Sequence, residues 1–237
     1  MGDPVPTVKF LGLTFNIAND ISVIVTCLIV FLFVFLLSRH LTMKPKGGQN
    51  VLEWLIEFTN GIVKGSIKGN EASNFSLYAF TLFLFIFIAN QLGLFIHVQV
   101  GQYTYLKSPT ADPIVTLTLS FMTVALAHAA GVRKKGMGGY LKEYTQPFAV
   151  FSVINVFEQF TDFLTLGLRL FGNIFAGEML LTKVADLAKS NGWLSYVYSF
   201  PIELLWQGFS VFIGSIQAFV FVTLTSVYIS QKVNDEE

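Results

Sequence analysis

The sequence predicts an all-α integral membrane protein of about five transmembrane helices, with one amphipathic helix lying at the membrane interface. Three observations lead there. Hydrophobic residues make up 53% of the 237-residue chain, charged residues only 13%, and Phe alone occurs 25 times. Mean hydropathy is +0.62, too apolar for an ordinary water-soluble domain. The apolar residues are gathered into runs long enough to cross about 30 Å of hydrocarbon. Basic and acidic residues balance at 15 each, so no net field attracts nucleic acid or an anionic substrate. The single cysteine, Cys27, excludes an intramolecular disulfide and a cysteine metal cluster.

Residues 1–20 are polar, lack the basic start of a cleaved signal peptide and are expected to be retained. The first span, 21–37, is followed by Arg39, His40, Lys44 and Lys46, a basic flank that marks the cytoplasmic side. The N-terminus is therefore expected outside. Residues 50–68 are interrupted by Glu53, Glu57, Asn60 and Lys64, while Leu52, Leu55, Ile56, Ile62 and Val63 cluster at helical spacing, the pattern of an interfacial amphipathic helix. A second span is expected at 75–98, then a short outer loop, then a third span at 114–132 ending in Arg133, Lys134 and Lys135. Gly136, Gly138 and Gly139 read as a flexible turn.

From 146 to 187 the chain stays apolar for about 40 residues, or about 60 Å as one helix. The absence of Pro or a Gly-rich turn between Phe148 and Leu166 argues against a hairpin of two spans and for one long tilted helix. The last span is expected at 201–230, with Pro201 in its first turn. An odd number of spans puts the C-terminus inside. Ten of the 15 basic residues then fall on the cytoplasmic side (Arg39, Lys44, Lys46, Lys64, Lys68, Arg133, Lys134, Lys135, Lys142 and Lys232).

Polar residues inside these spans fall in stripes. On the final helix Glu203, Gln207, Ser210, Gly214 and Gln217 recur at intervals of 4, 3, 4 and 3, on one face. On the long helix Glu158, Asp162, Arg169 and Asn173 are separated by 4, 7 and 4, again on one face. Glu178, about 13 Å beyond Arg169, falls on roughly the opposite side. Asn173 and Gln217 also suit a role as interhelical hydrogen-bonding groups, and Glu203 suits the start of a helix. Lys183 and Asp186 read as interfacial, His97 and His128 as interfacial or packed. Arg169 is the exception. Its guanidinium stays charged at any accessible pH, and a charge at membrane depth is costly enough to imply function and a partner.

The segment LGLRLFGNIFAGE, Leu166 to Glu178, closely resembles the signature of the a subunit of F-type ATP synthases. IQAFVFVTLTSVYIS, Ile216 to Ser230, and FIFIANQLGLF, Phe85 to Phe95, are similar to two further segments of that family, so the resemblance covers nearly the whole chain. It implies a bacterial multi-pass stator subunit of the membrane sector. The last two helices would be tilted and packed as a hairpin against a ring of c subunits, with b subunits of a peripheral stalk as neighbours and the soluble ATPase sector reached indirectly. Arg169 matches the family's essential arginine, and Asn173, Glu178 and Gln217 match positions associated with proton half-channels. Asp162, Glu203, Gln207 and Ser210 join them as candidate channel-lining residues. ATP chemistry would reside on other subunits, and the choice between H⁺ and Na⁺ would lie mostly with ligands on the ring, H⁺ being the default on family grounds. Two departures stand out: Asp162 and Phe163 occupy positions where many relatives carry Lys-Pro, and Ser210 one where some carry His. Ser does not titrate near neutral pH, so a relay here rests on carboxylates or water. No cofactor or metal is expected, since phosphate-loop, zinc-protease and nucleophile-elbow motifs are absent. The rival reading is a secondary ion-coupled transporter, against which stands the lack of an internal repeat.

Overall fold

The computed structural model describes residues 7–10, 13–39, 41–96, 98–100, 103–144, 151–188 and 193–234. Among them are six α-helices: α1 Ile17–Ser38, α2 Gly48–Ser66, α3 Ala72–Phe95, α4 Pro113–Tyr144, α5 Phe151–Ala188 and α6 Trp193–Val233. All but α2 contain a stretch long and apolar enough to cross a membrane. The chain is an all-α membrane protein. Its helices are inside-out by the standards of a soluble domain: α1 buries Asn19, Ser22 and Thr26 while Ile24, Leu28, Phe31 and Leu32 face outward. Such a surface is stable only against hydrocarbon, where the polar side chains must find partners within the protein. Ser22 and Thr26 donate to the carbonyls of Ala18 and Ser22 one turn earlier, at 2.7 and 2.8 Å.

Several boundaries differ from those expected of the sequence. The N-terminal segment carries an antiparallel hairpin, β1 Thr7–Phe10 with β2 Leu13–Asn16. Helix α1 starts directly after it, where Asn16 Oδ1 accepts from the Asn19 amide in the manner of an N-cap. A second hairpin, β3 Val98–Val100 with β4 Tyr103–Leu106, occupies the stretch read as a plain loop. It leads into a single 3₁₀ turn, Pro109–Ala111. Helical structure in α4 continues past the glycine cluster to Tyr144 and bends at Gly136, whose φ of 71° glycine adopts without penalty. Helix α6 begins at Trp193, so Pro201 lies inside it instead of in its first turn.

The long apolar stretch forms one helix. Its 38 residues span about 57 Å at 1.5 Å per residue. The expected start at Gln146 lies outside the described residues. In α2 the buried residues Gln49, Leu52, Thr59 and Val63 share one face, while Trp54, Glu57 and Lys64 are exposed. Phe58 stacks edge-on with Phe83 at 5.5 Å and contacts Phe219 at 5.8 Å.

The chain divides into two compact units. The first comprises Met1–Leu36, Leu84–Pro113 and Leu170–Ala218, the second Leu37–Phe83, Ile114–Arg169 and Phe219–Glu237. Every helix but α2 contributes residues to both, α3, α5 and α6 the most evenly.

Candidate functional site

In the second unit Leu166 is fully buried. Phe163 fixes the inward side of α5: its carbonyl accepts from Ser120 Oγ at 2.5 Å, and its ring meets Phe121 edge-on at 6.3 Å. With that side turned inward, Phe157, Glu158, Thr161, Thr165, Leu168 and Arg169 are exposed. Asp162 is half-buried, and Glu158, Tyr228 and Lys232 are near enough to act on its carboxylate. The Arg169 charge acts on the same hydroxyl. Among the described residues no Asp or Glu lies within 4.0 Å of Arg169, in contrast to the Lys107–Asp112 and Lys183–Asp186 pairs. The two acids that share its helical face by sequence, Glu158 and Asp162, thus leave it unneutralised.

In the first unit the same helix continues with Gly172, Asn173, Phe175 and Ala176 exposed and Leu170 and Ile174 buried. Asn173 Nδ2 donates to Gln217 Oε1 at 2.8 Å. Gln217 is buried, and its Nε2, like Ser210 Oγ, Ser199 Oγ and Gln91 Oε1, has no hydrogen-bond partner among the described residues. Buried polar atoms of this kind are normally satisfied by water. Ser199, Ser210 and Gln217 are separated by 11 and 7 residues, so they line one face of α6. Gln207 Nε2 donates to the Leu94 carbonyl at 3.0 Å, and Trp206 Nε1 to that of Gly177 at 3.2 Å. Glu203 is partly exposed on the same helix.

Glu178 has the most elaborate surroundings of the predicted residues. Its Oε1 accepts from the Ser108 backbone N–H at 3.2 Å. Ser108 lies in the loop before α4, 70 residues away in sequence, and nothing in the apolar patterning pointed to it. Gly93, on α3, is the position where a side chain would collide with both the Glu178 carboxylate and Ser108. Asn90 sits one turn earlier and donates through Nδ2 to the Gly214 carbonyl at 2.9 Å. Its Oδ1 accepts from Thr110 at 2.7 Å.

These polar contacts involve both residues that the sequence singled out, Glu178, Asn173 and Gln217, and others that it did not, Asn90, Ser108, Thr110 and Tyr228. For Tyr228 a signal existed: it lies 11 residues past Gln217, three turns along the same face of α6. Asn90 stood out as an amide in an apolar run. Ser108 acts through its backbone, which carries no residue signature.

A multi-pass helical membrane protein, with an exposed arginine inside an apolar helix and a row of buried polar groups lacking partners among the described residues, is the class that fold and site define. The ATP synthase A chain family model matches residues 21–230. The chain is similar to ATP synthase subunit a of Pediococcus pentosaceus, at 59% identity over 236 residues, covering 99% of each chain. It is similar to the subunit of the same name in Enterococcus hirae, at 51% over 217 residues and 91% of each chain. For Priestia megaterium the identity is 44% over 236 residues, covering all of both chains. The chain belongs to the a-subunit family of F-type ATP synthases, the membrane sector of that complex.

Proposed function

We propose that this chain is the stator of a rotary proton path, in which Arg169 meets the carboxylates of a c-subunit ring one after another. The observation that carries the reading is Arg169 itself, exposed on α5 with no acidic partner within 4.0 Å among the described residues. A guanidinium at membrane depth needs a counter-charge. A ring carboxylate supplies one. While it faces lipid it is neutral, because ionisation there costs several kcal/mol. Within about 4–6 Å of Arg169 the ionised form is favoured and the proton leaves.

Glu178, Glu203, Gln207, Ser210, Gln217 and Asp162 line two offset aqueous half-channels, and the buried unpartnered atoms of Ser199, Ser210 and Gln217 support water there. The fixed charge bars direct passage between them, so a proton rides the ring. Each proton crossing the field releases about 2.3 kcal/mol per 100 mV. ATP chemistry takes place on other subunits, and b subunits of a peripheral stalk hold this chain against rotation. Basic flanks support a bacterial plasma-membrane protein with its N-terminus outside and its C-terminus cytoplasmic. Helix α2 lies at the cytoplasmic interface.

The test is Arg169→Ala in the assembled complex, assayed as ATP-driven acidification of inverted membrane vesicles with and without Na⁺. Pumping is expected to disappear while the ring and the soluble sector still co-purify. Coupled pumping at an unchanged rate would overturn the reading, and pumping that requires Na⁺ would replace the proton with that ion.

A further inference from the structure

We propose that the loop from Lys107 to Asp112 is a positioning device for the Glu178 carboxylate: the Ser108 N–H holds one oxygen, and Asn90, Thr110 and Gly93 keep that N–H in place. This rests on Glu178 belonging to the ion path. The loop is rigid for local reasons. Pro109 fixes its own φ and keeps Ser108 extended, and the 3₁₀ turn closes with Ala111 N donating to the Ser108 carbonyl at 3.1 Å. Its ends are tied to α1. The Lys107 N–H donates to Ser22 Oγ at 3.3 Å, and Asn19 Nδ2 donates to the Asp112 carboxylate.

Two hydroxyls then lock Ser108 to α3. Thr110 Oγ1 donates to Asn90 Oδ1, whose orientation is set because Asn90 Nδ2 must donate to the Gly214 carbonyl. With the Thr110 proton committed, Ser108 Oγ shares its own between the Ala89 carbonyl at 2.9 Å and Thr110 Oγ1 at 2.8 Å. Two protons serve three contacts: Ser108 is bonded to α3 directly through the Ala89 carbonyl and indirectly through Thr110, which bonds to Asn90 on the same helix. Gly93 completes the arrangement by leaving the space in which the carboxylate and the Ser108 amide meet.

The consequence is a carboxylate with two unlike oxygens. Oε1 receives a charge-assisted hydrogen bond from the backbone of a loop held by Ser22, Ala89 and its own 3₁₀ turn. Oε2 has no hydrogen-bond partner among the described residues and is the oxygen left to take up and release a proton. Proton transfer needs donor and acceptor within about 2.6–3.2 Å, so a side chain held in one orientation exchanges faster than one free to rotate.

The experiment compares variants of the whole complex in inverted vesicles, reading the initial rate of ATP-driven acidification per assembled complex. Thr110→Val keeps the shape and removes the hydroxyl, and is expected to slow pumping about threefold to tenfold, whereas Thr110→Ser restores the rate. Gly93→Ala, whose methyl would collide with both the Glu178 carboxylate and Ser108, is expected to slow it as much. Wild-type pumping by Thr110→Val, or equal slowing by Thr110→Ser, overturns the proposal. So does wild-type pumping by Gly93→Ala. If Gly93→Ala does not assemble, the Thr110 pair decides alone. Glu178→Gln separates the two levels: if it pumps normally, Glu178 is outside the ion path altogether, whereas a slow Glu178→Gln with a normal Thr110→Val removes only the positioning role.

Discussion

Glu178 and Arg169 are nine residues apart on one helix, yet their surroundings are opposite. Glu178 is partly buried, and a backbone N–H, a loop and a glycine gap are arranged about its carboxylate. Arg169 is exposed, and apart from the electrostatic influence it shares with Tyr228 the described residues offer it no counter-charge. Under the proposed rotary path, the contrast separates two ways of using charge in a membrane. An acid that is to handle ions repeatedly is built into its own chain, where neighbours fix its geometry. A cation that is to meet a moving partner is left open, because a permanent internal ion pair would compete with that partner.

The sharpest way to break this comparison is Arg169→Lys. If an exposed charge alone sufficed, lysine would serve. A planar, weakly hydrated fork and a compact ammonium are not equivalent toward a carboxylate, however. Loss of most ATP-driven pumping is expected, with assembly intact on gel filtration. Glu178→Gln keeps shape and removes the acid; a drop of about tenfold or more in pumping rate is expected, while an unaltered rate would leave the acid a structural residue. The Asn173–Gln217 contact sharpens the contrast on the exposed face of α5. Replacing each by Leu, singly and together, is expected to give a coupling in thermal stability of about 0.6 kcal/mol, the usual scale for such bonds between membrane helices. Strictly additive losses would mean that the 2.8 Å bond carries little. The smallest effect belongs to Tyr228→Phe, which removes the hydroxyl near both Asp162 and Arg169. About a twofold to fivefold slower pumping rate is expected.

The spans were legible because membrane helices announce themselves by length and hydropathy over about 20 residues. So was the continuity of α5, since no Pro or Gly-rich turn interrupts Phe148 to Leu166. The two hairpins were not. Strands of three or four residues give too short an alternation to stand out, and such hairpins depend on what they attach to. The start of α6 was hidden by Trp193 to Phe200, a mixture of aromatic and hydroxyl residues that reads as interface, and Pro201 offered a more conspicuous start than the true one. Within the site, stripes at intervals of 3 and 4 revealed Asn173, Ser210 and Gln217, because helical periodicity is local. The Ser108 contact to Glu178 is tertiary, made by a backbone atom and permitted by the lack of a side chain at Gly93. Neither feature leaves a pattern in a single sequence.

The central claim is that the counter-charge of Arg169 belongs to another chain. It is tested most directly by a high-resolution structure of the assembled complex, in which the distance from the Arg169 guanidinium to each nearby carboxylate is measured. The account predicts a c-subunit carboxylate within about 4–6 Å and no Asp or Glu of this chain nearer. A salt bridge from Arg169 to Asp162, Glu158 or Glu178, with the ring carboxylates farther away, would contradict it.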